Sequence, residues 1–166
     1  MAIVVRPARP GDGQDIARNG VECTRYYRDL IPDDFRLPDQ EGLADWVDSW
    51  LPADGESELA LVAESEGQVI GYLEARIEQP LEAARFQSNP DLGETRLFIN
   101  YLVTAPAFWR RGVGRRLVEA AEEWGRGRGA TVAICDTHIG SPVSLPFWED
   151  GMGYRRRAVV LRKPLL

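Results

Sequence analysis

One segment constrains the fold more than any other: "TRLFINYLVTAPAFWRRGVGRRLVEAAEEWG", Thr95 to Gly125. Its opening, "TRLFINYLVTA", is apolar and β-branched and reads as a strand that stops before Pro106. Its last part places Val113, Leu117, Ala120, Ala121 and Trp124 at three- and four-residue spacing, which predicts an amphipathic helix from Val113 to Arg128. Between them lie Gly112 and Gly114, surrounded by Arg110, Arg111, Arg115 and Arg116. A helix N-terminus presents unpaired N–H donors and the positive end of the helix dipole, so four cations there conflict with the local field. A bound diphosphate removes the conflict. The glycines let it touch the backbone, and the arginines pair with its oxygens. The Walker pattern GxxxxGK(S/T) is absent, and "GVGRRL" lacks the third glycine of a dinucleotide GxGxxG. The plainer alternative is a tight turn beside incidental basic surface.

The remaining chain reads as further alternation. "AIVVR" is a short strand, and "RPGDG" a turn from which Asp12 or Gly13 caps a helix, Gln14 to Leu30. "IPDDFRLPDQ" is a loop, after which Asp39 caps a second helix carrying Leu43, Trp46, Val47, Trp50 and Leu51. "PADGESE" closes that helix. Leu59 to Glu64 and Val69 to Glu78 form a hairpin about "SEGQ", and "QPLEAARFQSNPDLGE" is a polar loop or short helix. Beyond the central segment come a strand "ATVAICDTH", a turn with a short helix "SPVSLPFWEDG", and a closing strand "YRRRAVVLRKPL". The expected order is β-α-α-β-β-β-α-β-α-β, an α/β (α+β layered) fold with helices flanking one sheet. At 166 residues it is expected to be a single domain, 1–166.

Charge is divided along the chain. Residues 1–100 hold 20 acidic and 9 basic side chains; residues 101–166 hold 6 and 11. A whole-chain nucleic-acid binder would be basic, and the net charge is −6, so no nucleic-acid partner is expected. The split suits one region that favours an anion and another that favours a cation. No apolar run is long enough to span a bilayer and no signal-peptide pattern opens the chain, so no membrane partner and a cytoplasmic location are expected. Cys23 and Cys135 lie far apart and read as buried or half-buried thiols, and a single histidine, His138, excludes a multi-histidine metal site.

The central segment resembles the acyl-CoA-binding motif of the GNAT superfamily (Gcn5-related N-acetyltransferases), roughly Q/R-x-x-G-x-G/A after a strand with L-x-V-x-P. In "YLVTAP", Leu102 takes the leucine place and Thr104 the valine place, with Pro106 nearby; Gly112 and Gly114 match the glycines, and Trp109 stands where Q/R is usual. "VVRPARPGD" is similar to the family's opening strand and turn. "SPVSLPFWEDGMGY" resembles its N-x-x-A-x-x-F-Y…GF segment, with Ser141 in the Asn place, Ser144 in the Ala place and Phe147-Trp148 in the Phe-Tyr place. The resemblance implies a mixed, mostly antiparallel sheet splayed at the acyl-CoA site. It also implies acetyl transfer from acetyl-CoA, as co-substrate, to a primary amine of a small molecule or peptide. Family members often pair, so a homodimer is compatible with it. The cofactor-binding residues it implies are Leu102, Val103 and Thr104, the stretch Arg110, Arg111, Gly112, Val113, Gly114, Arg115 and Arg116, and Ser141, Phe147 and Trp148.

For the chemistry, an ammonium must lose a proton and a thiolate must gain one. Trp148 occupies the place of the tyrosine that often protonates the sulfur, and its indole supplies no proton at neutral pH. Tyr101 or Tyr154 is an alternative donor, as is solvent; loss of turnover, leaving a non-catalytic acyl-CoA-binding sensor or assembly module, is the second reading. A nucleotide-binding protein using the same helix mouth is the third. Asp136 and His138 follow the next strand and are candidates for the base, with His138 as a loop-packing residue the alternative. Asn100, placed on one face with Leu102 and Thr104, orients substrate or water, or makes a structural hydrogen bond. Asp33, Asp34, Asp39 and Glu41 suit an amine-bearing acceptor. Trp46 and Trp50 read as core or half-buried packing, with a cation–π role at the acceptor site as the sharper alternative.

Overall fold

The strand and helix periodicities build a five-stranded sheet with helices on both faces. The computed structural model describes residues 2–52 and 55–165. In chain order the elements are β1 (Val4–Pro7), α1 (Gly13–Leu30), α2 (Leu43–Ser49), β2 (Glu58–Ser65), β3 (Gln68–Glu78), β4 (Arg96–Thr104), α3 (Val113–Arg126), β5 (Val132–Cys135) and α4 (Ser144–Pro146). Two 3-10 turns, Ala84–Phe86 and Pro90–Gly93, occupy the polar stretch between β3 and β4, and α4 runs into a wide helical turn, Phe147–Gly151. The strands lie in the order β1-β2-β3-β4-β5. The first four pair antiparallel; β5 pairs parallel to β4, and α3 provides the crossover that a parallel pair requires. The chain divides into two compact units, one ending at Asp136 and one beginning at Thr137.

Each sheet face carries its own core. Towards α1 and α2, Val62, Val69, Tyr72 and Val103 pack with Ile16. Towards α3, Val113, Leu117, Val118 and Ala121 are buried. Gly71 of β3 sits under that helix. A Cβ there would fall 2.8 Å from Val113 Cγ1 and 3.1 Å from Leu117 Cδ1, so glycine sets how closely α3 approaches the sheet.

The start of α1 is held from two sides. Asp12 turns away from the helix and accepts both guanidinium nitrogens of Arg6 at 2.8 Å and the Arg9 N–H at 2.9 Å. The cap instead comes from α2: Asp48 accepts the N–H groups of Gly11 at 3.0 Å and Gly13 at 2.9 Å. Further along, Asp15 accepts the Val69 N–H at 3.0 Å and buried Asn19 donates to the Val69 carbonyl at 2.8 Å, which fixes α1 over β3.

Several expectations are revised. α2 begins after Gly42, at φ 73, rather than at an Asp39 cap. β5 ends at Cys135, so "DTH" lies beyond it. The closing strand over "YRRRAVVLRKPL" does not form among the described residues, and Val160 and Leu161 are each 89% exposed. β-branched residues supply strand propensity, but propensity without a neighbouring strand does not make one. Ala53 and Asp54 of the expected "PADGESE" turn lie outside the described residues. No helix of the described residues is long and apolar enough to cross a membrane.

Candidate active site

The mouth of α3 is built without a cap. Gly112 occupies the N-cap position at φ 81, left-handed backbone that glycine adopts freely, and no side chain accepts from the first turn. The Arg116 N–H already bonds the Gly112 carbonyl at 3.1 Å, and the N–H groups of Val113 and Gly114 precede it as the helix's first donors. No acidic residue lies in this turn. A Cβ on Gly112 would meet nothing within 4 Å, so the space before the donors is open. Arg110, Arg111, Arg115 and Arg116 are all exposed around it, and Arg110 holds φ 60, an uncommon conformation for a non-glycine residue. These are the features of an anion site, and a diphosphate fits the donor set.

Trp109, the departure from the usual motif, ties this mouth to the sheet. Its indole donates to the Thr104 carbonyl at 2.9 Å, and its ring meets Tyr26 of α1 edge-on with centroids 4.8 Å apart.

The strand leading to the mouth has an unpaired edge. Among the described residues β5 pairs with β4 only from Arg96 to Ile99. On the other side the Ala105 N–H donates to the Ile70 carbonyl at 2.9 Å, so alternation turns Val103 and Ala105 towards β3 and the backbone groups of Leu102 and Thr104 away from it. Leu102 and the Thr104 N–H, rather than Val103, therefore present main-chain groups on the edge that β5 has left, the Thr104 carbonyl being held by Trp109.

A bulge lies at the same point. Glu74 pairs with Tyr101 and Ala75 with Ile99, which leaves Asn100 as the extra residue. The bulge breaks the expected alternation, so Asn100 does not share the face of Leu102 and Thr104. Its amide donates to Glu74 Oε2 at 3.0 Å, on the α1 side of the sheet, and Glu74 Oε1 accepts the Tyr72 hydroxyl at 2.6 Å. Burial and then the Glu74 hydrogen bond push the Tyr72 phenol well above its ordinary range, so it stays a donor. Tyr101 lies 6.0 Å from Tyr72 between ring centroids, and its hydroxyl abuts Gly20 of α1, where a Cβ would stand 3.3 Å from it. Desolvation at that enclosed end, with Cys23 and Glu74 nearby, pushes the Tyr101 phenol up to about 12, although 42% of the residue is exposed. Burial pushes the thiols of Cys23 up to about 11 and Cys135 up to about 12, so neither is a nucleophile at neutral pH.

Tyr72, Glu74 and Tyr101 form one end of a cavity of about 420 Å³ between the sheet and helices α1 and α2. Leu43, Trp46 and Trp50 line its other side. The tryptophans are 57% and 66% exposed and tilt against each other at 5.6 Å, so they are not the packed core residues that helical spacing predicts. Glu74 was missed by sequence reasoning. The available signal was one carboxylate inside the mostly apolar run "VIGYLEA", two residues from a tyrosine and hence on its face.

The remaining candidates follow β5 in the chain. Asp136 is exposed just past β5. In the second unit, His138 Nδ1 accepts the Gly140 N–H at 3.1 Å. Buried Ser141 accepts the Ser144 N–H at 2.8 Å and so caps α4. Trp148 is buried edge-on against Phe147 at 5.1 Å and Tyr154 at 4.9 Å.

Residues 24–154 match the Acetyltransferase (GNAT) family. Over 79 residues the chain is 33% identical to an aminoglycoside N(6')-acetyltransferase type 1 of Klebsiella aerogenes, a match covering 48% of this chain and 47% of that protein, so it spans about half the relative's length. Among solved structures, a mutant of a Bacillus halodurans protein superposes with a TM-score of 0.81 at 19% identity, covering 98% of this chain and 99% of that one. AAC(6')-Iy in complex with a bisubstrate analog, CoA-S-monomethyl-acetylneamine, gives 0.63 at 22% identity, covering 99% and 100%.

Proposed function

This chain belongs to the GNAT acetyltransferase family, and from that premise we propose that it transfers the acetyl group of acetyl-CoA to a primary amine of a small molecule. The supporting observation is the continuity of three features along one strand and its exit: the uncapped α3 mouth, the unpaired edge at Leu102 and Thr104, and the carboxylate-ended cavity at Tyr101. The N–H groups of Val113 and Gly114, with the surrounding arginines, hold the diphosphate. The Leu102 and Thr104 edge holds the pantetheine arm. Acetyl-CoA supplies a thioester carbonyl open to direct attack and a thiolate leaving group.

The chain's residues handle the amine. Glu74, fixed by Tyr72 and Asn100, binds the incoming ammonium and takes its proton. Asn100 is a positioning residue, acting through Glu74. Tyr101 keeps its phenol proton at neutral pH and, with its hydroxyl beside Gly20 of α1, offers a hydrogen-bond donor in the acceptor cavity. As the N–C bond forms and the C–S bond breaks, the attacking nitrogen gives up its second proton to solvent, from which the departing thiolate takes one.

Release of CoA thiol over a panel of primary amines tests the reading. Acetyl-CoA-dependent turnover is expected with at least one amine, falling about a hundredfold or more in Glu74→Gln, the lower end of general-base effects. Clear acetyl-CoA binding with no turnover over the panel would instead mean a non-catalytic acyl-CoA-binding module, the reading that Trp148 in the tyrosine place favours.

A further inference from the structure

We infer that the acceptor is a primary amine with a single ammonium on a flat, apolar body, an arylalkyl amine rather than a polycationic sugar; this rests on the acetyltransferase reading. The cavity under α1 and α2 has one carboxylate among its lining residues, Glu74, at the end next to Tyr101. Its Oε1 and Oε2 are each fixed by a neutral donor, Tyr72 and Asn100, so it is oriented without a competing cation. One ammonium fits there. A second or third ammonium on the same ligand would lose water among Ile16, Val21, Leu43 and Val47 with no carboxylate to meet it, which is unfavourable for each added charge. Asp39 and Glu41 follow Pro38 in sequence but do not line the cavity; exposed, they steer a cation without holding it.

The far wall matches the other half of such a ligand. Trp46 and Trp50 stand one helical turn apart on α2, tilted at 5.6 Å, and together leave a broad aromatic surface open beside the cavity. Large aromatic faces left open on a surface mark a site to be covered, and an aromatic ring covers them by offset or edge contact. The volume of about 420 Å³ lies towards the small end of the range for small-molecule sites. A carboxylate at one end and two indoles at the other define the polarity of the ligand: the amine enters towards Tyr101 and the ring remains under α2. Because Leu102 follows Tyr101 directly, an amine on Glu74 arrives beside the strand edge assigned to the pantetheine arm.

The experiment compares tryptamine with kanamycin as acceptors for the full chain, with thermal shift by acetyl-CoA measured alongside. Tryptamine is expected to be acetylated with kcat/KM at least tenfold above kanamycin. Its KM should rise about tenfold in Trp50→Ala while the acetyl-CoA-induced thermal shift is unchanged. Calorimetry with CoA present should show tryptamine binding that weakens by a similar factor in the same variant and varies little with salt, as one desolvated ion pair does. Equal or better use of kanamycin would overturn this inference and leave the acetyltransferase reading standing. So would acetyl-CoA binding with no acetylation of tryptamine. Absence of any acetyl-CoA thermal shift would overturn the acetyltransferase reading itself, and this inference with it.

Discussion

Two carboxylates show how position decides what the same side chain does. Glu74 is half-buried, held by neutral donors and faces a cavity. Asp12 is buried against a guanidinium. Burial opposes its ionisation, but the hydrogen bonds from Arg6 and from the Arg9 N–H, together with the Arg6 charge, outweigh that and hold its carboxyl below the usual range. A carboxyl that titrates lower in the folded state than its unfolded value of about 3.9 contributes stability that is complete above that value. The contribution drains away as pH falls from there through the folded value. Asp12→Asn is expected to cost about 2 kcal/mol at neutral pH, the scale of hydrogen bonds to charged groups, and to lose much of that cost below about pH 3. Urea melts of both proteins across pH 2.5–7 check this; a difference in stability that stays constant over the whole range would remove Asp12 from the account.

At the scale of elements, the seat of α3 governs the site more than any side chain does. Gly71 lets the first turn of that helix lie on β3, and a methyl group there would press on Val113, the residue carrying the first orphan donor. Gly71→Ala is therefore expected to weaken acetyl-CoA binding about tenfold while costing roughly 1–3 kcal/mol of stability through overpacking. Calorimetry and thermal melts measure the two, and destabilisation without any loss of affinity would show that the helix seat does not set the donors. The helix mouth itself was legible in the sequence because its code is local: glycines, arginines and a strand end within a few residues. The tryptophans of α2 were not legible, because a spacing of four on a helix describes a shared face and says nothing of whether a neighbour covers it. Glu74 needed the pairing register and the bulge at Asn100, which involve residues more than twenty positions apart. The closing strand failed for the same reason in reverse, since local propensity was present and the partner was absent.

At the scale of the whole molecule, the division of charge along the chain follows the division of tasks. The basic residues after position 100 include those around the α3 mouth, and the acidic excess before it includes Glu74 and the loop carboxylates near α2. Strand β4 joins the two regions, with Tyr101 at the cavity and Leu102 and Thr104 on the edge leading to the mouth. The central claim is that the Val113 and Gly114 donors at the α3 mouth hold the diphosphate of acetyl-CoA. Calorimetric titration of acetyl-CoA into wild type and Gly112→Glu tests it most directly. The substitution places a carboxylate in the open space before those donors, and its left-handed φ of 81 costs about 1–2 kcal/mol, so circular dichroism confirms that the variant is folded before the titration is read. The account predicts a loss of affinity of at least a hundredfold in a folded variant; affinity within threefold of wild type would contradict it.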